Sequence, residues 1–445
     1  MPSEASFTVG LEDRPPLPQA LALGVQHVLV SNVWLDPVFL AAAGGLSASL
    51  AGNLVNAMFL AAGLVTLTQS TRLVRLPIVE GPSSAFDSLL IGFARGGQLA
   101  AATTGLLVGG ALVLVVAASG LLSLVRRLFS PAVTGAVILL VGIALAGFTV
   151  QEFLGGSPSS PTFASPQSLA IGSATTLTVV VLSSFGAGWL RSYAFIWGLL
   201  VGNALSAALG RLSFETIAAA PWLGVPQLLP YGGLQLDAGI TLAILLAFLA
   251  AVIEAVGVYC AAGEMLQTPI SDQRLRLGVS GEAVGSLVSS LFGGFATTAY
   301  AQNVGLLRLT GVASRFTVSV AGVIFLVLAF VPKLGAALAA TPDPVVGGVF
   351  LPAAGSVALT GVSALARGPD TPRHTAVAGL ALVLGTGIPP LSSSLAARLP
   401  ALAVTLLSQP VVVGAMVALV LEVGLVQVPA AVASSWPAGG RRRAP

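Results

Sequence analysis

Charge is scarce in this chain. Of 445 residues only 8% are Asp, Glu, Lys or Arg, and 19 basic and 16 acidic side chains leave a formal net charge of +3. A soluble domain carries roughly 25% charged residues, so this sequence lacks the polar side chains to cover a water-facing surface. Cysteine occurs once, as Cys260, which excludes an intrachain disulfide and a cysteine metal cluster. Histidine occurs twice, as His27 and His374, too seldom for a histidine-rich metal site. No metal and no cofactor is therefore expected. A membrane-embedded hydrolase or transferase would need a nucleophile or metal constellation, and no His-rich, Cys-rich or paired-Asp cluster stands in the sequence. Residues 1–17 are polar, acidic and proline-bearing, without the apolar stretch of a cleavable signal.

What the chain has instead is hydrocarbon: 56% hydrophobic residues and a mean hydropathy of +0.97. Its 52 glycines and 28 prolines suit membrane helices, where Gly allows close packing and neighbours re-satisfy the backbone that Pro breaks. The chain reads as an integral membrane protein of the all-α polytopic class. A spanning helix needs about 20 apolar residues. Apolar runs between turn and charge signals predict fourteen transmembrane segments: 18–43, 46–70, 76–94, 98–125, 130–150, 167–189, 192–210, 236–266, 278–294, 299–311, 312–336, 346–366, 374–392 and 402–427.

Two of these are interrupted. Glu80-Gly81-Pro82-Ser83-Ser84 breaks the third, and Thr297-Thr298-Ala299-Tyr300 with Gln302-Asn303 breaks the tenth. They hold the same ordinal place in two halves of seven, on either side of the proline-bearing loop 218–234. Broken segments in matching positions point to a 7+7 inverted repeat with its binding site at the half-helices. With a cytoplasmic N-terminus, fourteen basic residues fall inside: Arg14, Arg72, Arg75, Arg126, Arg127, Arg191, Arg274, Arg276, Arg315, Arg367, Arg373 and the three of Arg441-Arg442-Arg443. Arg95, Arg211, Lys333 and Arg398 fall outside, and Arg308 stands near a half-helix. That asymmetry obeys the positive-inside rule and puts both termini in the cytoplasm, the chain crossing a cell membrane. The arginine tail reads as a lipid-headgroup anchor, with no nucleic-acid role.

Polar groups at bilayer depth mark a substrate or ion path. A broken helix exposes backbone amides at the positive end of its dipole. Gln302 and Asn303 begin the second half-helix, and their side-chain amides carry both donors and acceptors. That chemistry suits a planar heterocycle with alternating C=O and N–H groups. Gly305 follows, where close approach is sterically open. Glu254 interrupts the apolar run 242–262 with no Lys or Arg in its helix. A carboxyl there can bond a ligand N–H and exchange a proton. Glu282, in Gly281-Glu282-Ala283, is a second intramembrane carboxyl, a candidate proton relay or a tie between the broken helix and its neighbour. His27 in the first segment reads as an interhelical hydrogen bond. Ser83 and Ser84 are candidate ligand contacts, whereas Glu80 and Asp87 are expected at a solvated mouth or as backbone caps. A saturable carrier fits these features better than a channel.

The Gln-Asn-x-Gly-x-x-x-x-Thr pattern at 302–310 resembles the signature of nucleobase–ascorbate transporters, the second type of nucleobase/cation symporters. The Gln26-His27 pair, the Glu254-Ala255-Val256-Gly257 block and the continuation Thr310-Gly311-Val312-Ala313-Ser314-Arg315 resemble it too, in order and across most of the chain. The resemblance implies helices 1–4 and 8–11 in a core domain and 5–7 and 12–14 in a gate domain. This places core helices 1–4 and the start of the gate in 1–150, gate helices 6 and 7 and the inter-repeat loop in 151–234, core helices in 235–336, gate helices in 337–430 and a cytoplasmic tail in 431–445. It implies an elevator-like slide of core against gate, and a homodimer through the gate. Glu254 and Gln302 would hold the base, Asn303 and Tyr300 would belong to the site, and His27 would organise helix one. Gln at the head of the signature implies an oxidised purine, xanthine or uric acid, imported with protons. Glu282 falls where Asp or Asn is frequent, and three departures qualify the substrate assignment: Ser84 stands where many relatives have an aromatic, Val258 replaces a polar residue, and Ala283 replaces a glycine. Uracil or another base is the alternative substrate. An anion transporter of the sulfate or bicarbonate type shares the plan, with Arg308 its one supporting feature and Glu254 against it.

Overall fold

In the computed structural model residues 7–122, 128–395 and 398–429 are described, with the backbone alone for Gln302, Arg308, Leu309 and Ser393. The expectations for Arg126, Arg127 and the tail 431–445 lie outside the described residues, as does the side chain of Gln302. Among the described residues nine helices are long and apolar enough to cross a membrane. A tenth is added if Arg315–Ala329 and Pro332–Ala339, bent by 85°, make one span. Leu177, Phe185, Leu359, Val383 and Val420 stand exposed on helix exteriors, an apolar surface suited to a bilayer rather than to water.

Local chemistry sets the helix ends. Ser130 and Ser165 accept from the backbone N–H three residues on, with Pro131 and Pro166 in the first turn, where the missing proline N–H costs nothing. Ser271 caps the Asp272–Leu291 helix in the same way. That helix starts six residues before the apolar run predicted at 278, because its first turns carry Asp272, Arg274 and Arg276, which hydropathy does not count as membrane. The first predicted span is two helices, Leu17–Ser31 and Leu35–Gly44, with Asn32 left-handed at φ 56° between them. Asn tolerates that conformation, and the break brings Asp36 to the start of the second helix. The last span is likewise divided, into Ala401–Leu407 and Pro410–Leu421.

Packing rests on backbone-close crossings. Pro131–Phe153 lies along Asp343–Ala366, and Ala48–Thr71 along Arg315–Ala329. A Cβ on Gly63 would stand 2.7 Å from Leu326 N, and one on Gly322 would stand 2.9 Å from Leu67 N. Small residues at such points let two helices touch main chain to main chain. Phe39 stacks on Phe350 with centroids 3.7 Å apart, and Phe86 meets Phe248 edge-on at 5.0 Å.

The N-terminal segment straps one end of the bundle. Val9 bridges Val312, Ala313 N donates to Val9 O at 2.9 Å, and Glu12 meets both Arg315 (2.7 Å) and Arg75 (3.0 Å). Arg315 also donates to Ser70 O at 3.0 Å. The hydrogen bond from Arg315 holds the Glu12 carboxyl below its ordinary value of 4.5, against partial desolvation and with further help from Arg75. A carboxyl lower in the folded than in the unfolded state stabilises above its unfolded value, and that contribution fades as the pH falls through the folded one. Amide-exchange protection of residues 8–13, corrected for intrinsic rates, is therefore expected to fall as the pH drops below 4.5. Glu12→Gln is expected to show the weaker protection above pH 4.5, with the difference from wild type closing as the pH falls further.

Candidate functional site

The third and tenth segments meet as an antiparallel strand pair, β1 (Glu80–Pro82) and β2 (Thr297–Ala299), in the register Glu80↔Ala299, Gly81↔Thr298 and Pro82↔Thr297. Ser83 N donates to Ala296 O and Tyr300 N to Val79 O, both at 2.9 Å. The pairing satisfies two stretches of non-helical backbone inside protein, the condition for irregular chain at membrane depth. Each strand then feeds a short helix, Asp87–Arg95 after β1 and Ala301–Thr310 after β2, and neither has a side-chain cap. A 3-10 turn, Ser84–Phe86, leads into the first and takes up the Asp87 N–H through Ser84 O, whereas Ala301–Thr310 follows its strand directly.

Glu254 stands half-buried on the Ala238–Met265 helix, and Ser83 Oγ donates to its Oε2 at 3.4 Å. Thr298 Oγ1 donates to Ala251 O at 3.3 Å, fixing β2 one turn before Glu254. From Glu254 an exposed stripe runs along one helix face through Gly257, Ala261 and Glu264. Ala301 and Gly305, one turn apart on the tenth segment's helix, are exposed as well, and a Cβ on Gly257 or Gly305 would meet nothing within 4 Å. Ser84 is half-buried and Ser83 fully buried. Gln302 is the second residue of the Ala301–Thr310 helix by its backbone.

Two of the expected contact residues are occupied elsewhere. Asn303 is 0% exposed, and its Nδ2 donates to His27 O and lies against His27 Nδ1, each at 3.1 Å. An amide nitrogen donates only, so Nδ1 is the acceptor and the pair is the interhelical bond expected of His27. The hydroxyl of Tyr300 lies 2.9 Å from Pro82 O and 3.2 Å from Asp36 Oδ2. Tyr300 thus joins the tenth segment to the third and first from behind the open face.

Glu80 and Asp87 are not at a solvated mouth: both are 0% exposed. The tertiary fold also builds acid pairs that no stretch of sequence contains. Asp36 and Asp87 are electrostatic neighbours of each other and of Glu254, while Glu80 and Glu282 meet at the hydroxyl of Tyr259. Asp36, Glu80 and Tyr259 were not expected in a polar cluster. One signal was legible, an acid at Asp36 inside the apolar run 18–43.

Residues 18–393 match the model of the Permease family. The chain belongs to that family. This permease is a transporter and not an enzyme, and the resemblance carried by its motifs holds. It is 30% identical over 414 residues to the uric acid permease PucK of Bacillus subtilis, covering 91% of this chain and 95% of that one. It is 28% identical over 433 residues to the xanthine permease XanQ of Escherichia coli, covering 93% and 92%. Among solved structures the permease resembles the transmembrane domain of a cyanobacterial bicarbonate transporter, BicA, with TM-score 0.57 and 17% identity over 94% of this chain and all of that one. It also resembles the murine anion transporter Slc26a9 in its inward-facing state, with TM-score 0.64 and 11% identity over 94% and 69%. At such identities the likeness is one of fold alone.

Proposed function

We propose that this permease imports a nucleobase, xanthine or uric acid, in symport with protons. The observation that carries the reading is Glu254, a carboxyl half-buried beside the paired strands, bonded by Ser83 and carried on a helix that packs on Ala301–Thr310. A purine edge presents N–H beside C=O. Glu254 accepts the N–H, and Gln302 with the first-turn N–H groups of its helix meets the carbonyls. Ser83 and Ser84 border the base, while Asn303 and Tyr300 hold the half-helix in place through His27, Asp36 and Pro82. Glu254 and Glu282 exchange the coupled proton, and His27 keeps helix one in register. The names of the curated relatives, uric acid and xanthine permeases, support the substrate class.

The same reading takes fourteen segments as a 7+7 inverted repeat. Helix pairings support it, since Leu17–Ser31 and Ala48–Thr71 both pack on Arg315–Ala329, while Ala238–Met265 and Asp272–Leu291 both pack on Leu99–Ser119. Segments one and two thus meet eleven, as eight and nine meet four. Core helices 1–4 and 8–11 slide against gate helices 5–7 and 12–14 in an elevator cycle. The chain dimerises through the gate in the cell membrane, with both termini cytoplasmic.

Proteoliposome uptake of labelled xanthine tests the reading, with uric acid, uracil, guanine and sulfate as competitors and with or without an inward proton gradient. Gradient-driven uptake blocked by purines but not by sulfate is the expected result. Blocking by uracil alone would move the substrate to pyrimidines. Sulfate movement without base uptake would overturn the pocket and leave the fold.

A further inference from the structure

Behind the open face the fold buries a second polar cluster, of which the reading above uses only Glu282. Tyr259 follows Glu254 by five residues on the same helix and is 0% exposed. Its hydroxyl lies 2.7 Å from Glu282 Oε1 and 3.3 Å from Glu80 Oε1, and it accepts a 3.0 Å hydrogen bond from Gln69 Nε2. Gln69 Nε2 also donates to Gly278 O at 2.8 Å. Gln69 is 1% exposed and Glu282 5%. Glu80 Oε2, Glu282 Oε2 and Gln69 Oε1 are all buried without a hydrogen-bond partner.

Counting donors shows what is missing. One tyrosine O–H faces two carboxyl groups, and ionised carboxylates donate nothing. Gln69 holds its donor end at the shared hydroxyl while its acceptor end goes unfilled. The nearby hydroxyls are committed to main chain: Ser286 and Thr297 donate to Glu282 O at 2.8 and 3.1 Å, and Thr66 Oγ1 donates to Glu80 O at 3.4 Å. The titratable groups facing the pair are Tyr259 and Glu254, both from the Ala238–Met265 helix. Among the described residues no ion pair involves Glu80 or Glu282. Leaving two like charges buried with one hydroxyl donor between them is costly, and a single proton removes one charge and supplies a second donor.

We propose that Glu80 and Glu282 hold one proton between them at a site bridged by Tyr259 and Gln69, separate from the substrate carboxyl Glu254. Transfer breaks an O–H bond on one carboxyl oxygen and forms one on the acceptor, with no other reactant. The site is mechanically joined to the strands. Glu80 opens β1 opposite Ala299, and Thr297 of β2 bonds the backbone of Glu282, so β2 is joined to the main chain of both carboxyls. The coupling role rests on the proton-symport reading above.

Glu80→Gln keeps the shape and supplies the donor permanently. In the detergent-solubilised full chain without substrate, the infrared C=O stretch of protonated carboxylic acid is expected to lose one component in E80Q and to keep that component in E254Q. In proteoliposomes E80Q is expected to bind and exchange xanthine while accumulating it about tenfold less under an inward proton gradient. An unchanged carboxylic-acid band in E80Q overturns the site, as does sodium binding to wild type in place of that band. If wild type fails to bind xanthine and E80Q still loses the component, the proton site stands and the substrate reading fails. Should E80Q not fold, Tyr259→Phe keeps both carboxyls and is expected to shift that component, and an unshifted band overturns the bridge.

Discussion

Glu254→Gln is expected to abolish xanthine accumulation against its gradient while the protein stays folded. Glutamine fills the same space and still accepts from Ser83 Oγ, which lies 3.4 Å from Oε2 in the native site, so the fold loses little. What it loses is an ionisable oxygen. Hydrogen bonds to charged groups contribute about 1.5–3 kcal/mol, so the base affinity should fall roughly tenfold to a hundredfold. Coupling should fail more completely, because an amide cannot take up and release a proton within the cycle. Calorimetric binding of xanthine reads the first effect and gradient-driven uptake the second. Undiminished accumulation in the variant would sink the mechanism while leaving the family assignment untouched.

The largest effect on folding is expected where the Pro131–Phe153 and Asp343–Ala366 helices cross. A Cβ on Gly347 would stand 2.0 Å from Phe153 N, and one on Gly361 would stand 2.4 Å from Leu139 N. Both obstacles are backbone, so no side chain can turn aside. The helices would have to separate, giving up contacts along their whole length. Overpacking a core costs about 1–3 kcal/mol, occasionally more, and Gly361→Val combined with Gly347→Val should exceed that range. The expected result is little monodisperse protein after detergent extraction. Gly355 lies on the same helix with nothing within 4 Å of its would-be Cβ. Gly355→Ala should therefore leave the melting temperature unchanged or slightly raised, as the better helix former. Equal melting temperatures for G361V and G355A would refute the close-crossing account.

Much of the candidate site was legible because membrane chemistry makes polarity conspicuous. Glu254, Glu282, His27 and the Gln302-Asn303 pair stood out against hydrocarbon, and both interruptions were visible in Glu80–Ser84 and Thr297–Tyr300. Their geometry was not. Three-residue strands leave no periodic pattern, and β1 pairs with β2 across more than two hundred residues of chain. Tyr300 and Asn303 looked like ligand contacts by position, yet their partners Asp36, Pro82 and His27 lie in distant segments. Glu80 and Asp87 looked like mouth residues because charges usually seek water. Strand and helix packing instead closed over them.

The sequence by itself determined the class of molecule: too little charge for a water-facing surface, apolar runs long enough to cross a bilayer, two interrupted segments, and motifs that place the chain in its family. These are properties of composition and local order, and each is enforced by the cost of placing polar groups in lipid. The tertiary structure alone decided which carboxyls share a neighbourhood, which hydroxyls and amides are already spent on protein, and which face of the Glu254 helix stays open. Hydrogen bonds over 2.7–3.4 Å depend on how distant helices cross, and crossing geometry is set by glycine-to-backbone contacts far along the chain, which no local window of sequence contains.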